Sequence, residues 1–266
     1  MAVITISRGS FSHGKEIAEN VAERLGYDCI SREILLEASK DFNIPELKLF
    51  HAIHDSPSFL DNMFFRKEKY IAYIQAAVLK SLKKDNVVYH GFAGHFFVQN
   101  VAHVLKVRII ASMAERVRGV MKRNKFSRDE AVKYIHKVDE QRRKWSQQLY
   151  GIETAEPSLY DMVINIGQLT LEDAVDIICH KVSLKRFRKT PESQQRIEDL
   201  SLAAIAKAAI VERFPSSQAS CQNAVVLVRI ETALSLEEKV TAEIKEILKG
   251  IDEIKEVRVS VVPFET

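Results

Sequence analysis

A short apolar strand, Val3-Ile4-Thr5-Ile6, runs into Gly9, four spacer residues, Gly14 and Lys15, and no other stretch constrains the chain so strongly. Beyond the loop, Ile17, Val21, Ala22 and Leu25 recur at helical spacing. The unit therefore reads as strand, glycine loop and helix. The bare glycine-x4-glycine-lysine pattern arises by chance in roughly one chain in ten of this length at average glycine usage, so the flanking strand and helix carry the reading.

A loop of this layout cradles phosphate. Glycines let the backbone wrap closely around phosphate oxygens with successive N–H groups turned inward, and the positive end of the following helix adds to the attraction. The candidate cradle is Gly9, Ser10, Phe11, Ser12, His13, Gly14, Lys15 and Glu16. Lys15 is placed to neutralise β- and γ-phosphate charge during phosphoryl transfer, and Ser12 is a candidate contact to phosphate or metal. One position departs from the usual pattern: Glu16 stands where a Ser or Thr hydroxyl commonly supports Mg²⁺.

The 266 residues, 46% hydrophobic and 28% charged, fit a globular protein with a sizeable core in one large domain or two smaller ones. No apolar run approaches the length of a bilayer span and no signal peptide opens the chain, so a cytoplasmic location is expected. Cys29, Cys179 and Cys221 are far apart and odd in number, which predicts reduced thiols instead of a disulfide frame or a zinc site. The net charge of +3 is uneven: residues 191–266 sum to −4 and the preceding residues to +7. This modest basic excess suits a small polyanion better than a long nucleic acid.

Strands are predicted near residues 3–6, 26–30, 86–91, 104–111 and 161–165, alternating with helices. That alternation predicts an α/β fold with a mainly parallel sheet covered on both faces. Residues 31–84 read as a long helical insertion, and a helix led by Thr170 closes the first unit at about residue 182. Residues 183–196 are polar, contain Pro191 and read as a linker. Beyond it, a helix (about 197–212), a strand (224–231), a helix (235–249) and a strand (255–262) make a small α/β module.

The segment 112–150 is rich in Lys and Arg around Phe126-Ser127-Arg128, a hairpin able to close over phosphates with bidentate guanidinium contacts. Interleaved acids make most of these residues a solvated face; Arg116, Arg142 and Arg143 are singled out. His51 and His54 lie beside Asp55, and His90, His95 and His103 follow the third strand. Their spacing fixes no third ligand, so no resident metal site is expected.

Several blocks recur in a telling order. Ile4-Thr5-Ile6-Ser7-Arg8 leads to Gly14-Lys15-Glu16-Ile17-Ala18 and then Ala22-Glu23-Arg24-Leu25-Gly26. Asn86-Val87-Val88 precedes Gly91, Val107-Arg108-Ile109 precedes Arg116, Lys137-Val138-Asp139 precedes Arg142, and Leu159-Tyr160-Asp161-Met162-Val163-Ile164-Asn165 comes last. Over roughly residues 2–182 the chain resembles the cytidylate kinase-like P-loop kinases, a branch of the nucleoside monophosphate kinases. The resemblance implies a three-layer P-loop kinase fold with a mainly parallel five-stranded sheet. It also implies a helical insertion that holds the phosphate acceptor and a basic lid at about 112–155. ATP and Mg²⁺ are the implied cofactors, Lys15, Arg142, Arg116 and Arg143 the catalytic residues, and Arg32, Gly91 and Asp139 the acceptor-binding residues.

The same comparison makes Glu16 ordinary, because the family's variant loop reads Gly-Ser-Gly-Gly-Lys/Arg-Glu. Phe11 and His13 replace glycines of that loop and are expected to hinder close backbone approach to phosphate. Where the family reads Gly-Arg-Gly after the third strand, this chain has Gly91-Phe92-Ala93-Gly94, without the arginine that helps grip the acceptor. Ser31-Arg32-Glu33 replaces the usual Asp after the second strand, making Arg32 the candidate substitute.

Residues 197–266 resemble a BON-like domain through Asp199-Leu200, Ala203 to Ala209 and Ile254-Lys255-Glu256-Val257-Arg258-Val259, which implies a surface, ligand or regulatory role. The expected activity is ATP-dependent phosphoryl transfer to a nucleoside monophosphate, CMP or dCMP by default. The alternatives are a nucleotide-binding sensor that signals through the C-terminal module and a kinase acting on another small hydroxyl or phosphate compound. Expected partners are nucleotide substrates and a protein or ligand at the module, with no long nucleic acid and no membrane span.

Overall fold

The computed structural model describes residues 2–31, 33–42, 64–91 and 94–263. They fall into two compact units that cut across chain order. The first holds the described residues up to Glu33 and from Lys84 to Thr190; the second holds those from Ile34 to Lys83 and from Pro191 onward. Eight strands are described: β1 (Val3–Arg8), β2 (Asp28–Ile30), β3 (Val87–Tyr89), β4 (Val104–Ala111), β5 (Met162–Ile166), β6 (Gln218–Gln222), β7 (Val225–Glu231) and β8 (Glu256–Val262). The described helices are α1 (Gly14–Leu25), α2 (Glu33–Asp41), α3 (Phe64–Leu82), α4 (Gly94–Phe97), α5 (Met113–Asn124), α6 (Arg128–Tyr150), α7 (Leu171–Val182), α8 (Pro191–Ile210) and α9 (Glu237–Leu248).

In the first unit, β1 to β5 form a sheet in the order β2-β3-β1-β4-β5, with every neighbouring pair parallel. β1 is the central strand and is buried on both faces, which explains its apolar run. Helices α1 and α7 pack together on the sheet, where Ile17, Ala18 and Val21 meet Ala174, Val175 and Ile178 over Ile4, Ile6, Val107 and Ile109. Helices α5 and α6 make a hairpin with its own small core of Val117, Val120, Ala131 and Ile135. Ser112 caps α5, and Ser127 and Glu130 form a capping box on α6. The parallel five-stranded sheet is the one the strand–helix alternation predicts.

In the second unit, β6 and β7 are antiparallel, β7 and β8 are parallel, and the order is β6-β7-β8. Val226, Val228 and Ile230 alternate inward from β7 against Leu202, Ala206 and Ile210 of α8 and Val240, Ile244 and Leu248 of α9. Helix α3, from the predicted insertion, packs along α8. Tyr73 donates to the Glu212 carboxylate at 3.1 Å, Lys69 pairs with the same carboxylate, and the Gln194 amide donates to the Lys83 carbonyl at 3.4 Å. The Phe42 ring stacks on Tyr73 at 4.3 Å.

Two expectations are corrected. Residues 183–196 are not an irregular linker: a short 3-10 turn (Lys185–Phe187) leads to α8, whose first residue is Pro191. Proline is tolerated there because the first helical N–H has no intrahelical acceptor to lose. The strand β6 is an addition, since Gln-Ala-Ser-Cys-Gln has alternation but no β-branched or aromatic residue to announce it. Residues 43–63 of the predicted helical insertion, with His51 and His54, lie outside the described residues.

Gln195→Pro separates a helix from a linker. Within α8 it breaks the i to i−4 ladder and costs about 3 kcal/mol or more, whereas a linker would absorb it within about 0.5 kcal/mol. Urea unfolding of the full chain is expected to show the larger loss.

Candidate active site

β1 delivers the loop. The Gly9 N–H donates to the Ile109 carbonyl at 2.9 Å, one step beyond the last residue of β1. Ser12 is buried, and its hydroxyl lies 2.9 Å from the Gly9 carbonyl and 3.0 Å from that of Ile109, sharing its one proton between them. Ser12 therefore fastens the loop to β4.

Phe11 and His13 sit at φ 59° and 62°, the left-handed region that favours glycine. The chain keeps the backbone angles of a glycine loop at the two positions where it lacks the glycines. The Phe11 ring packs 5.5 Å from Tyr134 of α6 and lies 5.0 Å from the Arg123 guanidinium of α5. Its bulk is taken up by the hairpin core, and not spent on crowding the loop. The His13 ring lies 3.5 Å from Glu16 and 3.7 Å from Glu115. Gly14 is required by contact, because a Cβ there would stand 2.7 Å from the Arg8 Cβ.

Helix α1 begins without a side-chain cap from His13, whereas α5, α6 and α7 are capped by Ser112, Ser127 and Thr170. Its first-turn N–H groups have no intrahelical acceptor, and together with the helix dipole they favour an anion. Lys15 stands in that turn with its side chain 67% exposed, 3.5 Å from Glu19. Glu16, beside it, is also exposed.

The hairpin closes onto the loop through arginine. Arg116 Nε donates to the Ser10 carbonyl at 2.8 Å, and its terminal nitrogen donates to the Ser10 hydroxyl at 2.6 Å and to Asp139 at 2.5 Å. The Ser10 hydroxyl donates in turn to Asp139 at 2.5 Å. Arg142 donates to the Arg8 carbonyl at 3.4 Å. Burial, then the nearby Arg8 charge, with Arg116 and Arg108 adding to it, pushes the Arg142 guanidinium down to about 10 against the opposing pull of Asp139. It remains charged at neutral pH.

Sequence reasoning missed two arginines of this cluster. Arg8 ends β1 and bonds the His90 ring at 3.1 Å; Arg108 on β4 donates to the Tyr160 hydroxyl at 3.2 Å and lies 3.4 Å from that of Ser7. The available signal was a cation interrupting each of two apolar strands. Arg143 is the opposite case. It pairs with Glu140 on the exposed face of α6, since successive helical residues point about 100° apart and only Arg142 of the two turns to the loop. Asp139 is brought in, but onto Arg116 and Ser10. Gly91 has a packing reason of its own, as a Cβ there would meet the Tyr89 hydroxyl at 2.3 Å. Arg32 and Phe92 lie outside the described residues.

Tyr160 organises the floor. Its hydroxyl donates to the Thr154 carbonyl at 2.9 Å and lies 3.1 Å from His95 Nε2. With the phenolic proton committed to the carbonyl, His95 donates from Nε2 and stays neutral; burial pushes its pKa down to about 3. The unfolded chain binds that proton near pH 6.5. The contribution to stability is thus full above pH 6.5 and falls as pH drops from there towards 3. Thermal unfolding across pH 4 to 8 is expected to show this acid loss, and His95→Gln to flatten it. Gly14→Ala is expected to cost about 1–3 kcal/mol by overpacking against Arg8, read by urea unfolding.

Residues 3–168 match the model of the Cytidylate kinase-like family. A cytidylate kinase of Sulfolobus acidocaldarius is 27% identical over 185 residues, covering 69% of this chain and 96% of its own length. One from Archaeoglobus fulgidus is 29% identical over 192 residues, covering 70% and 97%. The solved structure of an uncharacterized protein from Eubacterium ventriosum superposes with a TM-score of 0.54 at 19% identity, covering 70% of this chain and all of that one, and shows a shared fold. With more than half its length matched by the family model, the chain belongs to the cytidylate kinase-like family and is a nucleoside monophosphate kinase-like phosphotransferase.

Proposed function

We propose that the protein transfers the terminal phosphoryl group of ATP to a nucleoside monophosphate, with CMP or dCMP as the default acceptor. The observation that carries this reading is the phosphate loop with an uncapped α1 behind it and Arg116 and Arg142 converging on it from the α5–α6 hairpin. Phosphoryl transfer asks the protein mainly for positioning and charge neutralisation. The first-turn N–H groups of α1 and Lys15 hold the donor phosphates. Arg116 and Arg142 stabilise the charge spread over the transferred group, and Asp139 with Ser10 fixes the Arg116 fork in place.

The loop suits a polyphosphate because its free N–H groups and surrounding guanidiniums all favour negative charge. Among the described residues no group of three His, Cys, Asp or Glu side chains is placed to hold a metal. Mg²⁺ commonly binds through substrate phosphates and waters with one or two carboxylates, and when bound it would supply further neutralisation. A BON-like binding role for the C-terminal region belongs to the same proposal. It is supported by an open groove of about 1170 Å³ lined in part by Arg196, Gln222, Asn223 and Arg258.

Lys15→Ala is expected to lower kcat/KM by about 100-fold or more, the range for removing one preorganised charge-stabilising donor. The check is acceptor-dependent ADP release over a panel of monophosphates, with CMP and dCMP included. Nucleotide binding with no acceptor-dependent release would instead favour a sensor.

A further inference from the structure

Arg8 carries a charge that no described carboxylate of its own unit pairs with directly; Glu19 acts on it only from a distance. Its stem packs on Gly14, and its guanidinium bonds the neutral-capable ring of His90 at the end of β3. Among the described residues no carboxylate lies within ion-pair distance of it. Burial pulls its pKa below the ordinary arginine value. Arg108, the neighbouring cation on β4, is likewise held by hydroxyls and not by an acid. A histidine or hydroxyl orients a guanidinium without discharging it, and a half-buried cation without a counter-ion is costly. Such a group becomes favourable when an anion arrives.

The donor side of the loop already has its cations: Lys15 on α1, and Arg116 reaching Ser10 from the hairpin. Arg8 instead bonds His90, the residue after β3. The sequence that follows, Gly91-Phe92-Ala93-Gly94, contains no basic residue.

We infer that Arg8, oriented by His90, binds the phosphate group of the acceptor and makes the enzyme require an acceptor that already carries one. The inference rests on the proposed kinase reading, since it takes a monophosphate as the second substrate. A planar guanidinium with one N–H on His90 keeps others for two phosphate oxygens.

The test compares wild type with Arg8→Met, which keeps the stem that packs on Gly14, and with Arg8→Lys, which keeps the charge. Each is titrated calorimetrically with CMP, and separately with cytidine, beside a non-hydrolysable ATP analogue; AMP, GMP and UMP with their nucleosides extend the panel. Wild type is expected to bind at least one monophosphate 10- to 100-fold more tightly than its nucleoside, the range for a charged hydrogen bond. Arg8→Met should collapse that ratio to near one while affinity for the ATP analogue stays within about threefold, and Arg8→Lys should restore part of it. A ratio that survives in Arg8→Met, equal loss of both ligands, or no preference for a monophosphate in wild type overturns the inference. A preference that disappears in Arg8→Met without ADP release from wild type overturns the kinase reading and leaves the Arg8 assignment standing.

Discussion

The ion pair between Arg116 and Asp139, closed on Ser10, holds the active-site region of the first unit together. The Arg116 side chain is only 13% exposed, and its two partners come from α6 and from the phosphate loop. One guanidinium thus fixes three elements that are distant in sequence. Removing one partner leaves the other without its counter-charge at a partly buried site. The Ser10 hydroxyl, donating to Asp139 while accepting from Arg116, makes the loop's position part of the same network. Phe11 adds an apolar tie by filling the hairpin core. Hydrogen bonding and packing therefore agree on one placement of loop and hairpin.

That placement brings Arg8, Arg108 and Arg116 close enough to act on Arg142. Asp139 alone opposes them in the field at Arg142. An isolated protein would be more stable with fewer cations here, since like charges at close range in a partly buried site repel strongly. The excess is intelligible as preorganisation for phosphate: the charges are held in advance by neutral groups, such as Tyr160, Ser7 and His90, so that little rearrangement is needed when negative charge develops. The neutral His95 fits the same pattern, because a protonated ring beside Arg108 would add one more cation.

The parts legible in the sequence were those where one physical signal dominates. Central parallel strands such as β1 and β4 are buried on both faces and read as apolar runs, and Thr170 announced its helix by capping. The loop's shape was legible only by comparison with a glycine pattern; nothing in Phe11 or His13 by itself says that either adopts a positive φ. Arg8 and Arg108 were missed because a charged residue within a strand usually faces solvent, and only the packed structure shows these two turned inward. Arg143 was chosen for its neighbourhood, but one step along a helix rotated it out to water. Helix α8 hid its start in polar residues. Its buried positions are mostly small or polar, Ser193, Asp199, Ser201, Ala204 and Ala206 among them, so no apolar stripe marks it.

Asp199 shows what such a polar position does. From α8 its carboxylate accepts the N–H groups of Asn223 (2.9 Å) and Ala224 (3.1 Å), the two residues of the β6–β7 turn. Both adopt positive φ, 51° and 64°, as a two-residue hairpin requires. The helix thus supplies the acceptor that stabilises an otherwise strained turn, and the turn sets the register that sends Val226 and Val228 into the core. On another side the same helix carries α3. The family model spans residues 3–168, so α3 lies inside the matched region while α8 lies beyond it. A helix from the matched region has its packing partner in the unmatched one, and the C-terminal region is consequently part of the second unit's core and not an appendage to it.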